Sequence, residues 1–263
     1  MKIMIVGNDR RSLVIKETLK SKIDCEIYTY SGTVEKETSV IILPTPVTTD
    51  KINLNFTDAE NKSIDYLFNC AEKETFIIGA GYKNDRVYDL CSRDDFSIEN
   101  AVPTAEGAIA IAIDKTANTL FDSNILITGF GRVARILIHR LSAFNSNITV
   151  AARSSGNRAE IKALGLKAID ISDIKENINN FNIVFNTVPY CIFDKATLAS
   201  ANKNTLFIEL ASNKSGFDGE ELKKLPDFIN ATGLPGKTAP VSAGKIMAET
   251  IITLLYEKNI LRR

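Results

Sequence analysis

Apolar residues come along this chain in short dense runs, separated by stretches of helical spacing. Lys2–Val6 ends in Gly7 and reads as a buried first strand, after which Leu13, Ile15 and Leu19 fall at helical intervals. Glu26–Tyr30 and Val40–Leu43 read as further strands, the second stopped by Pro44 and Pro46. Ser63–Lys73 carries a helical stripe of Ile64, Leu67, Phe68 and Ala71, and Thr75–Ile78 is a strand running into the turn Gly79-Ala80-Gly81. Strands alternating with helices predict a parallel sheet wrapped by helices, here an N-terminal domain over residues 1–100.

Pro103 is expected to open a long helix through about Asn118, with Glu106 in its first turn, where the helix dipole favours a carboxylate. The small, apolar middle of this helix, Ala108-Ile109-Ala110-Ile111-Ala112-Ile113, suits burial between two domains. A second alternating series starts at Asn124–Thr128 and continues through Asn147–Ala152, Asn182–Asn186 and Thr205–Leu210. The last element, about Pro240 to Lys258, is a helix with Val241, Met247, Ile251, Leu254 and Leu255 on its inner side, expected to return to the N-terminal domain.

Composition narrows the class. A chain of 263 residues fits two domains better than one, and 44% apolar with 24% charged residues is the balance of a globular protein. The 32 basic residues equal the 32 acidic ones, so no net field draws the chain to nucleic acid or to anionic membrane. The apolar run at the start is too short for a signal peptide, and nowhere do about 18 apolar residues run together, so no membrane span is expected. The cytoplasm is the expected location. Cys25, Cys70, Cys91 and Cys191 are scattered, without disulfide or zinc spacing. With His139 the single histidine, neither a His-containing triad nor a multi-His metal site is expected, and no metal is expected.

Ile125-Leu126-Ile127-Thr128-Gly129-Phe130-Gly131-Arg132-Val133-Ala134 is a strand, a G-x-G-x-x-A turn and the start of a helix. The first glycine permits the tight turn, the second lets backbone approach a pyrophosphate, and small Ala134 allows close helix–strand packing. The phosphates would sit on free N–H groups at the helix start. The alternative is a plain strand–helix turn. An NAD site places Asp or Glu about 20 residues on, to hold the ribose hydroxyls. Here the second strand ends Ala151-Ala152-Arg153-Ser154-Ser155, with Arg158 close behind and no acid at its tip. A guanidinium and two hydroxyls suit a 2′-phosphate, so NADP is preferred to NAD, against a solvated basic turn. Asn186-Thr187-Val188-Pro189 and Glu209-Leu210-Ala211-Ser212 follow the next strands, at the edge where the nicotinamide half lies. Thr187, Val188 and Pro189 are candidates to meet it.

With these motifs in place, the sequence resembles a known family, the A subunit of dipicolinate synthase, which is the dehydrogenase-like chain of spore-forming bacteria. The stretches that carry the resemblance run from Ser92-Arg93-Asp94-Asp95 through Val102-Pro103-Thr104-Ala105-Glu106-Gly107 to Gly129-Phe130-Gly131-Arg132 and Ala151–Ser155. Glu209-Leu210-Ala211-Ser212 and Ala231–Pro240 complete them, and the Gly7-Asn8-Asp9-Arg10 turn also fits. The segment Ser31–Ser63 departs from the pattern. The resemblance implies oxidation of dihydrodipicolinate to dipicolinate with NADP as hydride acceptor. It implies work beside a flavoprotein-like partner, the B subunit of dipicolinate synthase, in the mother cell of a sporulating bacterium. The expected fold is α/β with two doubly wound domains. A flavodoxin-like N-terminal domain (1–100) and a Rossmann NADP-binding domain (120–238) are joined by the helix at 101–119, and residues 239–263 pack back on the first.

Taking a hydride from one ring carbon and a proton from its neighbour yields an aromatic pyridine, so positioning is the main demand and a weak base is enough. The two substrate carboxylates need donors. Thr104 at the start of the linking helix is a candidate for one, and Glu106 for taking the proton, with helix capping its alternative. Lys237 and Thr238, in the loop Gly233–Pro240, are candidates for the other. Asp9 and Arg10 follow strand one, at the sheet end where α/β domains bind ligands. Asp94 and Asp95 form either an acid pair or, with Arg93, a structural ion pair, and His139 reads as a surface residue. Two other readings compete: an NADP-binding regulatory or assembly subunit without turnover, and an NADP-linked dehydrogenase of another small acid, similar to shikimate dehydrogenases. The latter's Lys–Asp pair cannot be placed here, apart from Lys83 or Lys51. The apolar linking helix is compatible with a homodimer.

Overall fold

The structure, a computed structural model, describes residues 1–212, 215–222, 225 and 227–262. The chain divides into two compact units: Met1–Asn100 together with the chain from Pro235 onward, and Ala101–Leu234.

The first unit runs β1 (Lys2–Ile5), α1 (Arg10–Lys22), β2 (Glu26–Thr29), β3 (Val40–Ile42), α2 (Ile64–Cys70), β4 (Phe76–Gly79), β5 (Val87–Asp89) and α3 (Asp94–Glu99). All strand pairs are parallel, in the order β2-β1-β3-β4-β5, which is the doubly wound flavodoxin-like arrangement. Central β3 is buried throughout, which explains its unbroken apolar sequence. Asp9 starts α1 by accepting a hydrogen bond from the Ser12 amide at 3.1 Å, and Ser63 does the same for α2 from the Tyr66 amide at 3.3 Å. The sequence pattern did not signal β5 or α3: the one is three residues long and the other six, too short for a period to show.

The second unit runs α4 (Ala101–Lys115), β6 (Asn124–Thr128), α5 (Arg132–Ser142), β7 (Asn147–Ala151), α6 (Ser155–Ala163), β8 (Lys167–Ile169), α7 (Ile174–Asn177), β9 (Ile183–Asn186), α8 (Lys195–Ala199), β10 (Leu206–Glu209), α9 (Gly219–Leu222) and β11 (Phe228–Asn230). Its parallel strands lie in the order β11-β10-β9-β6-β7-β8. Counted within the unit this is 6-5-4-1-2-3, the Rossmann order, with its switch point between β6 and β9. One core layer joins Ile125, Ile127, Phe185 and Ile208 to Ala134, Leu137 and Leu141 of α5, and the other stacks Phe193 on Phe217 at 4.5 Å beside Phe207. Helix α4 packs against α5 and begins at Ala101, two residues before Pro103, so Pro103 is its third residue and Glu106 lies beyond the first turn. The first four N–H groups of a helix have no partner within it, so Pro103 costs nothing there and does not mark the start.

The chain then forms α10 (Leu234–Thr238), where the sequence suggested a loop, and α11 (Pro240–Glu257). Helix α11 packs along α1 in the first unit and buries Met247, Ile251, Leu254 and Leu255, each worth about 1.5–3 kcal/mol. Val241, expected on the same side, is 38% exposed. It lies roughly 120° round the helix from Met247, off the buried stripe.

Candidate functional site

Strand β6 delivers the chain to the glycine turn at the carboxyl end of the second unit's sheet. Gly129 has φ +87°, a left-handed conformation, and a Cβ there would stand 2.6 Å from the Thr187 hydroxyl. Gly131 is different: its φ is −84° and a Cβ would meet nothing within 4 Å. The backbone thus borders open space where the motif calls for a pyrophosphate. Gly131 is also the N-cap of α5 and, as a glycine, offers no side chain to cap the amides of the helix's first turn. Phe130 is buried beneath the turn, with the Arg135 guanidinium 3.8 Å from its ring centre, and Ala134 is fully buried where helix meets sheet. A dinucleotide therefore fits the residues that are present.

At the tip of β7, Ala152 is buried while Arg153, Ser154 and Ser155 are exposed, and Ser154 caps α6. Arg158 differs from the expectation that it joins the same cradle. Its Nη1 donates to the carbonyls of Ala152 (2.8 Å) and Arg153 (2.7 Å) and pairs with Asp170 at 2.5 Å. It braces the strand tip from behind, leaving Arg153 as the outward cation. Asp170 is held below the usual carboxylate range by the Ser172 amide and hydroxyl, with Arg158 adding to it.

At the ends of β9 and β10 a set of buried polar groups has formed. The Thr187 hydroxyl donates to the Thr128 carbonyl at 2.6 Å, and the Thr128 hydroxyl donates to Asn186 at 2.5 Å. Asn186 in turn donates to Glu209 at 2.8 Å. Val188 is half-buried and Pro189 exposed beside them. From sequence, Asn186–Pro189 and Glu209–Ser212 are expected at the nicotinamide edge, but the bonds that join Thr128, Asn186 and Glu209 are not foreseen. A carboxylate closing the apolar run Leu206–Glu209 was the signal.

The substrate and catalytic candidates have varied surroundings. Asp9 is a structural cap: one oxygen takes the Ser12 amide and, at 2.5 Å, its hydroxyl, while the other takes the Arg11 guanidinium at 3.2 Å. Arg10 is exposed on the first turn of α1, whereas neighbouring Arg11, not singled out from sequence, is half-buried, its side chain 11% exposed and tied to Asp9 and the Thr45 carbonyl. Glu106 lies 3.4 Å from Arg140 in an exposed ion pair near the C-terminal end of α5, the end opposite the glycine turn. Proton transfer at the coenzyme end is not what this placement suits. Thr104 is half-buried in the first turn of α4, and Lys237 and Thr238 are exposed in α10. Arg93 pairs with Asp95 (2.6 Å) and Glu257 (2.5 Å), the structural alternative for that motif, and His139 is exposed. Among the described residues no cluster of three or more His, Cys, Asp or Glu can hold a metal, and no helix is long and apolar enough to cross a membrane.

A flavodoxin-like unit and a Rossmann unit with an open glycine turn define the class: this is the fold of nicotinamide-nucleotide dehydrogenases. NAD-dependent formate dehydrogenase from Staphylococcus aureus, solved in complex with NAD, shares it with a TM-score of 0.61 over 98% of this chain and 95% of that one, at 14% identity, a likeness of fold alone. The particular likeness is to the A subunit of dipicolinate synthase. The Bacillus subtilis protein is 35% identical over 173 residues, which are 65% of this chain and 58% of that relative's length. The crystal structure of the A chain of Bacillus subtilis dipicolinate synthase matches with a TM-score of 0.87 at 27% identity, over 99% of this chain and 97% of that one. No protein-family model matches. The resemblance read from the motifs is thus borne out in sequence and in fold.

Proposed function

We propose that this chain oxidises dihydrodipicolinate to dipicolinate with NADP as hydride acceptor. The observation that carries the reading is the glycine turn: Gly129 in a left-handed conformation, open space at Gly131, and a glycine as the N-cap of α5. The likeness to the A subunit of dipicolinate synthase supplies the substrate. In this reading the amides of Phe130, Gly131, Arg132 and Val133 bind the pyrophosphate. Arg153 holds the 2′-phosphate with Ser154 and Ser155, and Arg158 keeps that tip in place. Thr187, Val188 and Pro189 line the nicotinamide end.

When bound, the coenzyme supplies the acceptor for a hydride. One ring carbon of the substrate gives up the hydride and its neighbour a proton, and the product gains aromaticity, so no strong base is required. The protein's part is to fix two carboxylates and exclude other orientations. Arg10, Thr104, Lys237 and Thr238 are the donors we assign to that task, while Asp9 caps α1 and Glu106 pairs with Arg140. A flavoprotein-like B subunit is the proposed partner, following the relative's name as one component of a synthase, and the mother cell of a sporulating bacterium is the proposed setting.

The test is to mix the purified chain with NADP and freshly generated dihydrodipicolinate, with and without the candidate flavoprotein-like partner. NADPH and dipicolinate appearing together support the reading. Tight NADP binding with no turnover, even with the partner, leaves a regulatory role in its place, a reading favoured by the absence of a catalytic histidine.

A further inference from the structure

Glu209 ends β10 and is 2% exposed. Burying a carboxylate is costly unless hydrogen bonds replace its water, and here they do. Oε1 accepts from Asn186 Nδ2 at 2.8 Å and from the Ala211 amide at 2.9 Å, and Oε2 accepts from the Gly216 amide at 2.6 Å and the Ser215 hydroxyl at 3.3 Å. Asn186, itself fully buried and directly opposite Glu209 in the sheet register, passes the constraint on. Its Oδ1 accepts from the Thr128 hydroxyl at 2.5 Å and from the Val188 amide at 3.2 Å, and its Nδ2 also reaches the Val188 carbonyl at 3.0 Å. Both polar groups of the Val188 backbone are therefore set by one side chain, whose orientation is fixed by the carboxylate behind it. The site is fully packed as well: a Cβ at Gly216 would fall 2.1 Å from Asn186 Nδ2.

A fully satisfied buried network of this kind specifies one geometry where an apolar contact would tolerate several. What it specifies is local. It fixes Thr128, the residue before the glycine turn, and the Thr187–Val188 backbone, while the tip of β7 is held by a separate set of bonds through Arg158. We infer that Glu209 is a positioning residue for the nicotinamide half of the coenzyme: acting through Asn186, it presents the Thr187–Val188 backbone, and it has no part in holding the adenosine half. This rests on the coenzyme reading above.

The experiment compares two ligands, NADP and adenosine 2′,5′-bisphosphate, which carries the adenosine end without the nicotinamide. Glu209→Gln keeps the shape but turns one acceptor into a donor facing an amide. Thr128→Val, measured in parallel, removes one hydroxyl and keeps the test alive if the first variant does not fold. Loss of NADP affinity by about tenfold or more in Glu209→Gln, and by a few-fold in Thr128→Val, is expected. The bisphosphate should bind each variant within about twofold of the parent chain. Equal weakening of both ligands, or of neither, overturns the inference, because a merely structural carboxylate would not separate them. If the parent chain binds neither ligand, it is the coenzyme reading itself that has failed.

Discussion

At Gly131 the backbone has φ −84° and ψ −167°, open to any residue, and a Cβ would touch nothing. Folding therefore has no use for a glycine here, and Gly131→Ala should gain about 0.4–1 kcal/mol from a stiffer unfolded chain. That corresponds to a Tm unchanged or raised by roughly 1–4 °C at this size. The methyl group would occupy the space through which a pyrophosphate reaches the α5 amides. Losing one charge-assisted hydrogen bond costs about 1.5–3 kcal/mol, or roughly 10- to 150-fold in affinity. Gly129→Ala should do the reverse: φ +87° is strained by about 1–2 kcal/mol for a non-glycine residue, and the methyl would displace the Thr187 hydroxyl. Its Tm should fall by several degrees. Thermal melts and NADP titration by calorimetry measure both quantities on the same samples. A Gly131→Ala chain that binds NADP as tightly as the parent would remove the pyrophosphate from this turn, and one that melts early would refute the structural premise.

Arg153→Asp places an acid where NAD-type sites carry one, so NADP affinity should fall by tenfold or so while NAD affinity holds or rises; parallel titrations check it, and equal loss of both would mean Arg153 does not meet a 2′-phosphate. Arg93 holds the carboxyls of Asp95 and Glu257 below their ordinary values through its hydrogen bonds. Depressed carboxylates contribute stability that is present above their unfolded values near about 4 and is lost as pH falls through the folded ones. The Tm gap between the parent chain and Arg93→Met should thus be widest at neutral pH and close in acid, and a gap independent of pH would show that the ion pairs contribute nothing. Asp9→Ala removes the α1 cap at a cost of about 1 kcal/mol, whereas Asp9→Asn retains it and should leave KM for dihydrodipicolinate unchanged; a large rise in KM for the asparagine variant would return Asp9 to the substrate.

The sequence told most about the glycine turn of the second unit, because that motif is local. A strand, a G-x-G-x-x-A turn and a helix are contiguous, and the structure shows the turn open where the motif says it should be. The arginine at the tip of β7 was likewise readable, but not the division of labour between Arg153 and Arg158. That depends on Asp170, which the sheet brings alongside from the end of β8. The Glu209–Asn186–Thr128 network was hidden for the same reason: its members end three strands that neighbour one another only in the folded sheet. Arg10 and Arg11 look alike in sequence, and only helix phase turned the second inward. Glu106 was misplaced by trusting Pro103 as a helix start, when α4 begins two residues earlier and its carboxylate meets Arg140.

The most direct test of hydride transfer by this chain is a single turnover with coenzyme-loaded protein, together with the flavoprotein-like partner, in excess over dihydrodipicolinate. One NADPH should form for each dipicolinate, with both appearing at the same rate and both slowed in Glu209→Gln. Dipicolinate forming without NADPH, or at a rate unrelated to it, would show that oxidation does not run through the site at Gly129–Gly131.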